Sequence, residues 1–473
     1  MDLTRNVNSD PRRAIPSVNR LTDRVRGAAP EIADWIPARA AQRAIDEVRE
    51  QLMSRGESAV PLEPADIEQQ CLDAALDHAA KWAMEWPRPV LNATGVTLHT
   101  NLGRAPMAEG AAQAAAQAAM GYTNLELDLE SGERGNRIAS VTEKLCHLSG
   151  AEGAYVCNNN AAAVMLALNS LAAGQEVVVS RGELVEIGGS FRVPEVMKKA
   201  GVELKEVGST NRTHAHDYAS AIGPRTGMLL KVHRSNFEQT GFVKEVSLAE
   251  LVSIGAEHGV PVVEDLGSGS LLDLSSVGVP TEAHVPSRLQ MGPDVVCFSG
   301  DKLFGGPQAG LILGKKDSIA LMKQNPLARA LRLDKMALSA LDFTLSRMLD
   351  GSAPDTIPVL RQLMLSQKDH EARTRRWAER LESAVAERGG SLGVEWVEET
   401  VPVGGGSLPG FDIQSCAVAI KAQVSASQFA ARLRHAPVPI LSRIRDQRIL
   451  LDLRAIGEDQ EDDLIQGILS ALH

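Results

Sequence analysis

The chain has few of the features that would place it in a membrane or outside the cytoplasm. It has five cysteines among 473 residues, without a CxxC pair and with mostly apolar neighbours, so we expect reduced thiols rather than a disulfide framework. Its apolar runs fall short of the ~18–20 residues that a membrane-spanning helix needs, and its N-terminus lacks the apolar core of a signal peptide. We therefore expect a cytoplasmic protein with no membrane segment.

Positive charge is also in short supply. The net charge is −11, so the whole molecule is not attracted to nucleic acid, and an RNA partner requires a locally basic surface. The start of the chain is rich in arginine, and its arginines are Arg5, Arg12, Arg13, Arg20, Arg24 and Arg26. Both a solvated leader and an RNA-facing helical module explain these side chains.

Three familiar ligand motifs are incomplete. Gly310-Leu-Ile-Leu-Gly314-Lys315 has the wrong spacing for a phosphate-binding P-loop and lacks the hydroxyl residue after the lysine. Gly267-Ser-Gly269 lacks the third glycine of a dinucleotide fingerprint. His214-Ala-His216 has no further ligand at metal-site spacing, so we expect no metal site.

The hydrophobic pattern changes along the chain. Helical patterns near 39–55 and 64–85 precede a break at Pro87 and Pro89. Apolar strand patterns then alternate with helical ones, which predicts βαβ crossovers and a mainly parallel sheet covered by helices on both faces. The predicted strands of this sheet are 154–157, 176–180, 202–207, 227–232, 260–264, 294–298 and 309–313.

These patterns predict an α/β protein with three regions. Residues 1–88 form an N-terminal helical domain, 89–345 the large domain with the parallel sheet, and 346–473 a linking helix followed by a small α+β domain. Within these regions, 122–130 alternates like a further strand, and Gly404-Gly-Gly-Ser407 is typical of a loop.

Polar residues follow several of the predicted strands. Asn158, Asn159 and Asn160 stand between a strand and an Ala-rich helix, where free backbone N–H groups can hold a phosphate. Simple capping by asparagine is the alternative. Asp265 ends the next such strand, where a carboxylate can pair with a protonated ring nitrogen of a cofactor or cap the following turn. Ser299 ends another, and its hydroxyl could reach a phosphate oxygen.

Lys302 lies in the turn Ser299-Gly-Asp-Lys302, directly after a buried strand. Burial lowers the pKa of a lysine, and the neutral amine is the form that makes a Schiff base with a carbonyl cofactor. A turn lysine paired with Asp301 is the alternative. The chain thus has a phosphate-binding segment, then an acid, then a Ser-x-x-Lys turn, each at a strand end and in that order. This is the arrangement of the large domain of aminotransferase-like enzymes. The sequence therefore predicts pyridoxal phosphate.

Further polar residues are candidates for the same site. Arg104, Arg329 and Arg332 lie outside the cofactor elements, and arginine suits phosphate and similar oxyanions, although a surface salt bridge explains any one of them. His233 and Asn236 follow the strand 227–232, so they could face the cofactor.

Several long segments resemble one family. The chain is similar, from about residue 10 to its end, to bacterial selenocysteine synthase, the L-seryl-tRNA(Sec) selenium transferase, a fold-type-I pyridoxal-phosphate enzyme. The segments that carry the resemblance are Asn92-Ala-Thr-Gly95, His99-Thr-Asn-Leu-Gly-Arg-Ala-Pro106, residues 180–191, Ser299-Gly-Asp-Lys302 and Gly305-Gly-Pro-Gln-Ala-Gly310.

The resemblance implies an activity. Seryl-tRNA(Sec) would lose water to give a dehydroalanyl-tRNA, and selenium from selenophosphate would then add to give selenocysteyl-tRNA(Sec). In this interpretation Lys302 carries pyridoxal phosphate and Asp301 takes part in catalysis. Asp265, Ser299, Asn159, Asn160 and His233 are our remaining cofactor-binding candidates.

The resemblance also implies substrate contacts and partners. Arg104, Arg329 and Arg332 match arginines of the oxyanion site, one of them supplied by a neighbouring subunit. We expect Thr210 and Asn236 at the substrate site, although Ser209 stands where the family usually has a threonine. The N-terminal helical domain matches a tRNA-contacting domain, and the family forms a homo-oligomer, a pentamer of dimers.

Two alternatives stay open at this point. One is a pyridoxal-phosphate lyase of the same fold that acts on a small amino acid or amino sugar, and the other is a non-catalytic tRNA-binding scaffold. A lyase has no use for an arginine-bearing N-terminal domain, and a scaffold needs no cofactor on Lys302.

Overall fold

A computed structural model describes residues 11–54, 62–187, 191–390 and 392–472. Arg5 and residues 188–190 of the motif at 180–191 lie outside the described residues. The chain divides into two compact units, Met1–Pro89 and Val90–His473. In the described ranges no helix is both long and apolar enough to cross a membrane.

In the described part of the first unit, three α-helices surround a small apolar core. They are α1 (Val18–Ala28), α2 (Ile36–Ser54) and α3 (Pro64–Ala83). Ser17 caps α1 by accepting a hydrogen bond from the backbone of Arg20, and a proline begins α3. Apolar residues at helical spacing, such as Leu21 and Val25, fill the core.

In the second unit, strands and helices alternate from Leu91 to Leu349. They are β1 (Leu91–Asn92), α4 (Glu109–Met120), α5 (Ala139–Ser149), β2 (Gly153–Cys157), α6 (Asn160–Ala172), β3 (Glu176–Ser180), β4 (Glu186–Ile187), β5 (Phe191–Arg192), α7 (Val193–Lys199), β6 (Glu203–Val207), α8 (Ala215–Ala221), β7 (Thr226–Val232), α9 (Leu248–His258), β8 (Val262–Ser268), α10 (Val285–Gln290), β9 (Val295–Ser299), β10 (Gly310–Gly314), α11 (Lys316–Gln324), α12 (Pro326–Ala330) and α13 (Lys335–Leu349).

Seven of these strands form the central sheet, in the order β2-β10-β9-β8-β7-β3-β6. Its pairs are parallel except that β10 runs antiparallel to both β2 and β9. The seven predicted strands and the mainly parallel α/β architecture are confirmed. Because parallel strands end at one edge of a sheet, the ends of β7, β8 and β9 meet there. Gly310 at the start of β10 pairs with Cys157 and Ser299 at this same edge.

The remaining elements form a small α+β region. They are α14 (Ala353–Thr356), α15 (Pro358–Met364), α16 (Gln367–Glu387), β11 (Gly393–Gly404), β12 (Ser407–Lys421), α17 (Ala426–Leu433), β13 (Ile440–Leu441), β14 (Arg443–Arg445), β15 (Arg448–Leu451) and α18 (Glu461–Ala471). Its antiparallel sheet has the order β11-β12-β15-β14.

One local prediction is confirmed and one is wrong. Residues 404–407, expected in a loop, form the tight turn that connects β11 to β12 in a long hairpin, and we call them the hairpin tip. The alternating segment 122–130 is no strand; within it Leu127 makes only an isolated bridge to Arg134. An alternating pattern forms a strand only where a second strand pairs with it, and among the described residues this segment has only the single bridge.

The segment that opens the second unit is fixed to the small region. β1 pairs in parallel with β13, and Thr94 bridges to Asp452. Gly95 has φ +78°, and a Cβ there would lie 2.2 Å from a carboxylate oxygen of Asp452, so only glycine fits.

Asp452 is itself the centre of a buried polar cluster. Its carboxylate accepts hydrogen bonds from Ser415 Oγ at 2.6 Å and from the backbone N–H of Arg454 at 2.9 Å, and it lies 3.2 Å from His370 Nε2. Asp452 and His370 are fully buried. The cluster joins α16, β12 and the turn after β15.

Candidate active site

Lys302 lies in a rigid turn that follows β9. The backbone N–H of Gly300 donates to the carbonyl of Ala309, that of Gly306 donates to Gly300, and that of Gly305 donates to Lys302, each at 2.8 Å. Only 7% of Lys302 is exposed. The turn therefore presents a lysine to the sheet edge without releasing it into solvent.

The amine of Lys302 has a backbone partner. Its Nζ donates a hydrogen bond to the carbonyl of Gly406 at 2.8 Å. Burial, followed by the charge of Arg104, lowers the pKa of Lys302, whereas Asp265 and Asp301 act in the opposite direction. The amine is therefore easier to deprotonate than an exposed lysine, as a lysine that binds a carbonyl cofactor requires.

Asp301 forms its ion pair with Arg104 rather than with Lys302. Arg104 Nη1 and Asp301 Oδ2 are 2.8 Å apart, and the N–H of Ala105 donates to the Asp301 carbonyl at 3.2 Å. Arg104 has a left-handed backbone, with φ 67°. Such strain in a residue other than glycine persists where the surroundings enforce it, often at functional sites. The pairing of Lys302 with Asp301, considered above as an alternative, is not observed.

Asp265 lies within β8, three residues before the strand ends at Ser268, so the prediction that it ends the strand is wrong. Its Oδ1 accepts from Asn160 Nδ2 at 2.7 Å and from the N–H of Gly267 at 3.1 Å. Burial raises the pKa of Asp265. Among the described residues, Asn160 Oδ1 and Ser235 Oγ are buried without a hydrogen-bond partner. Asn160 contacts Asp265, and Ser235 lies against Gly267, so both unpaired atoms can serve a polar ligand.

The three asparagines before α6 have different contacts. Asn159 caps the helix by accepting from the N–H of Ala162 at 2.9 Å. Asn158 donates its backbone N–H to the carbonyl of Leu331 at 2.9 Å, and its side-chain amide reaches the carbonyls of Leu331 and Arg332 at 2.8 and 2.7 Å. Asn160 alone contacts Asp265. A phosphate contact of Asn159 or Asn160 stays a prediction.

The residues at this edge fit pyridoxal phosphate. They offer a buried amine on Lys302, a buried carboxylate on Asp265 for the ring nitrogen, and unpaired polar atoms on Asn160 and Ser235. One cavity of about 490 Å³ is lined in part by His233 and Ser268, and a larger one of about 940 Å³ lies between α4 and α13. Neither is lined by Lys302, Asp265, Asn160 or Ser235, so the chemistry of the side chains identifies the site.

Comparison with known proteins supports this assignment. Residues 90–457 match the family model described as SelA, L-seryl-tRNA selenium transferase. This chain belongs to the L-seryl-tRNA selenium transferase family. The match includes all the residues of the second unit described above as site candidates.

Individual members of the transferase family are close in sequence. The L-seryl-tRNA(Sec) selenium transferase of Moorella thermoacetica is 50% identical over 392 residues, which cover 82% of this chain and 83% of that protein. The one from Carboxydothermus hydrogenoformans is 44% identical over 458 residues and covers 95% of both chains. The second similarity therefore includes most of the N-terminal unit.

One solved structure shares the fold of the transferase chain. The structure of D-glucosaminate-6-phosphate ammonia-lyase has a TM-score of 0.58 and 22% identity, and the match covers 81% of this chain and 95% of that one. At this identity the similarity concerns the fold. The predicted aminotransferase-like fold class is confirmed.

In this transferase family member, His233 lies beside the site without touching the lysine. Its backbone N–H donates to the Asp265 carbonyl at 2.9 Å. Burial, then the charges of Lys231 and Arg288, lower the pKa of His233 to about 4. The imidazole is therefore neutral at physiological pH, and a contact with the cofactor stays a prediction.

The low pKa of His233 predicts an acid-sensitive stability. Between pH 6.5 and about 4 the unfolded chain binds a proton that the folded chain does not, so stability falls as the pH falls. Over that pH range we expect the free energy of unfolding of the wild-type chain to fall by roughly 2 to 3 kcal/mol because of His233, and that of His233→Gln to fall by less. Urea unfolding at a series of pH values measures the difference. The control is His258→Gln, which replaces an exposed histidine on α9 and should lose as much stability as the wild type. An equal loss of stability at low pH in His233→Gln and the wild type would contradict the prediction.

The two expected substrate residues of the transferase lie in exposed loops. Asn236 donates its side-chain amide to the carbonyl of Glu186 at 2.8 Å, and the carbonyl of Thr210 accepts from Gln239 at 3.0 Å. Ser209 donates its hydroxyl to the carbonyl of Arg212 at 3.1 Å. These contacts join neighbouring loops near the ends of β3, β6 and β7, and the substrate role of Thr210 and Asn236 stays a prediction.

Arg329 and Arg332 are exposed, and neither side chain makes an ion pair or hydrogen bond within the part of the chain that the structure describes. The backbone of Arg332 bridges to Cys157, and the amide of Asn158 holds its carbonyl. Arg104 is engaged with Asp301, whereas the side chains of Arg329 and Arg332 are exposed. Their common oxyanion site stays a prediction.

Sequence reasoning missed several buried polar contacts. Glu183 pairs with Lys231 at 2.6 Å and accepts from the N–H of Val232 at 2.9 Å, which fixes the strand end before His233. Glu183 lies in the segment 180–191, but its residue type alone gave no role. Ser235 follows a strand end just as the chosen candidates do, and this position could have revealed it.

Proposed function

We propose that this chain converts seryl-tRNA(Sec) to selenocysteyl-tRNA(Sec) by eliminating water and adding selenium, with pyridoxal phosphate held on Lys302 and selenophosphate as the selenium donor. The observation that carries the proposal is the buried Lys302 amine between Asp265 and the Arg104–Asp301 pair, in a chain of this family. Family membership favours the transferase over a lyase. A cytoplasmic location is part of the proposal.

Besides Lys302, three side chains hold the cofactor in this proposal. Asp265 pairs with the protonated ring nitrogen, because its buried carboxylate is already oriented by Asn160 and Gly267. Asn160 and Ser235 offer the unpaired atoms Oδ1 and Oγ to polar groups of the ring. When bound, pyridoxal phosphate supplies an electron sink for the bonds at the seryl Cα.

Lys302 also moves the proton of the reaction. Its lowered pKa lets the free amine accept the proton from the seryl Cα and return it at a later step. Because the turn after β9 and the Gly406 carbonyl confine the amine, it stays within one pocket. Confinement of this kind supplies part of the rate enhancement without any further chemistry.

Arginines bind the anionic selenium donor in this proposal. Arg104 keeps a defined position because Asp301 holds one of its nitrogens, and the rest of its guanidinium can contact an oxyanion. Among the described residues the exposed side chains of Arg329 and Arg332 make no hydrogen bond or close ion pair, although the charge of Arg332 acts on Glu126, so both are available to a site on a neighbouring copy. A ring made of five dimers, with arginines exchanged between subunits, is part of the proposal.

The helical unit supplies a surface for the tRNA. Trp35 and Trp82 stack with ring centroids 6.1 Å apart, and 54% and 38% of these residues are exposed. Arg39 and Arg43 follow Trp35 at helical spacing on α2, are exposed, and form no ion pair among the described residues. Stacking aromatics beside unpaired arginines bind bases and phosphates.

Removing this unit tests its role. We expect deletion of residues 1–80 to abolish seryl-tRNA(Sec) binding in a filter-binding assay, while the visible absorbance of lysine-bound pyridoxal phosphate is kept. In the full chain, the double substitution Arg39→Ala and Arg43→Ala should weaken binding by about tenfold or more at low salt. Arg49→Ala is the control, because Arg49 is on the same helix but pairs with Asp46. Binding that survives the deletion would refute the tRNA role of this unit.

The proposed reaction is tested directly by its product. The purified chain is incubated with pyridoxal phosphate, seryl-tRNA(Sec) and selenophosphate, and the amino acid esterified to the tRNA is identified by mass spectrometry. We expect selenocysteine. Unchanged serine together with breakdown of free amino acids or amino sugars would favour the lyase, and tRNA binding without a cofactor chromophore would favour the scaffold.

A further inference from the structure

The hairpin tip, residues 404–407, reaches from the small region into the lysine pocket. The carbonyl of Val403, just before it, accepts a hydrogen bond from the N–H of Leu98 at 2.7 Å. The hydroxyl of Ser407 lies 2.8 Å from that of Ser268, at the end of β8. The tip is therefore fixed both to the segment before Arg104 and to the central sheet.

The tip also contacts the lysine turn itself. The Gly406 carbonyl accepts the hydrogen bond from Lys302 Nζ at 2.8 Å, and the Ser268 hydroxyl accepts from the N–H of Leu303 at 3.5 Å. Ser268 thus connects Ser407 to the residue that follows the lysine. Two sets of hydrogen bonds therefore join the hairpin tip to the lysine turn. One uses the carbonyl of Gly406, and the other uses the hydroxyls of Ser407 and Ser268.

The backbone of Gly406 suits this contact and no larger residue. Its φ is +80°, and a Cβ there would lie 3.3 Å from Lys302 Nζ. A side chain would both strain the backbone and press against the amine. Gly405 is the useful contrast, because its φ is not in the left-handed region and a Cβ there would meet only the side chain of Thr100.

We propose that the hairpin tip is a positioning element for Lys302, in which the Gly406 carbonyl holds the free amine and Ser407 holds the tip in place. This inference rests on the proposed role of Lys302 as the residue that carries the cofactor. The inference assigns a function to a segment of the small region. The segment needs no contact with the substrate for this function.

The hydrogen bond between Lys302 and Gly406 acts on the charge of the amine in the opposite direction to burial. A carbonyl acceptor favours the charged amine, whereas burial and Arg104 favour the neutral form. Asp265 from β8 and Asp301 from the lysine turn favour the charged form too, and the neutral His233 after β7 adds no charge. The tip therefore keeps the amine able to hold a proton and fixes the direction in which it points.

The rate of cofactor uptake reports on this contact. The full-length chain, freed of cofactor, is mixed with pyridoxal phosphate over a range of pH, and the visible absorbance of the lysine-bound form is followed. Borohydride reduction and peptide mass spectrometry identify Lys302 as the attachment site. Because the neutral amine is the nucleophile, the pH midpoint of the uptake rate follows the pKa of Lys302.

We expect the midpoint to fall by about one pH unit in Gly406→Ala, because the added Cβ displaces the amine from the carbonyl of residue 406, and to stay unchanged in the control Gly405→Ala. An unchanged midpoint in Gly406→Ala, or an equal shift in both variants, would overturn the inference. Failure of the wild-type chain to attach the cofactor at Lys302 would instead overturn the proposed function.

A second variant covers the case in which Gly406→Ala does not fold. Ser407→Ala keeps the backbone of the tip but removes the contact with Ser268. We expect its midpoint to shift in the same direction by about half a pH unit, since the tip is less firmly held. If circular dichroism shows a folded Ser407→Ala with the wild-type midpoint, the tip does not position the lysine.

Discussion

Lys302→Ala lowers the formation of selenocysteyl-tRNA(Sec) by at least about three orders of magnitude, because one side chain both holds the cofactor and moves the proton. The visible absorbance of the lysine-bound cofactor disappears in the same variant. Binding of seryl-tRNA(Sec) stays close to the wild-type level, since the proposed RNA surface is on the helical unit. Product analysis, absorbance spectra and filter binding measure the three effects.

Lys315→Ala is the matched control for this loss. Lys315 pairs with Asp294 at 2.8 Å near the surface, so its removal should leave the activity and the absorbance almost unchanged. Persistence of the chromophore in Lys302→Ala would point to another lysine. Lys231 is the other buried candidate, but Glu183 holds its amine at 2.6 Å.

Asp452→Ala is expected to have the largest effect on stability. It lowers the free energy of unfolding by roughly 3 to 5 kcal/mol, because His370, Ser415 and the backbone of Arg454 lose a common buried acceptor. Urea unfolding of the variant and the wild type measures the change. The control Asp462→Ala removes a carboxylate from an exposed pair with Arg380 and should cost no more than about 1 kcal/mol.

The same cluster predicts a pH dependence with a definite sign. Burial is the largest single influence and lowers the pKa of His370, but the hydrogen bonds and charge interactions with Asp452 and Cys416 together outweigh it and raise the pKa above the usual 6.5. The stability that His370 contributes is therefore present below pH 6.5 and is lost as the pH rises through the raised pKa. We expect this alkaline loss in the wild type and a much smaller one in Asp452→Ala. Equal losses in the two proteins would show that the pair does not control it.

The cofactor site was predictable to the extent that it depends on strand ends. Asp265, Ser299 and Lys302 each follow a buried apolar run, and parallel strands bring their ends to one edge of the sheet. The order of residue types along the chain was therefore enough to predict a cofactor and the class of fold. Ser235 follows the same rule, yet its small side chain gave no chemical signal.

The contacts that the small region makes with the lysine turn could not be predicted from the residue types at strand ends. The amine of Lys302 donates to a carbonyl 104 residues further along the chain. Every residue has a backbone carbonyl, so the residue type does not reveal which carbonyl accepts this hydrogen bond. Residues 399–415 are polar and rich in glycine, so their alternation is too weak to predict strands, although β11 and β12 extend through them. The pairing of Asp301 with Arg104, 197 residues apart, was hidden for the same reason.

The parallel pairing of β1 with β13 has a consequence for the synthesis of the chain. Leu91 leaves the ribosome long before Ile440, its partner in the strand pair, and Gly406 also follows Lys302 by a long interval. Long-range pairings of this kind form late, because the chain between them must first be ordered. The lysine pocket is thus completed only when nearly the whole chain has been made, so a nascent or C-terminally truncated chain has the lysine but not the pocket that orients it.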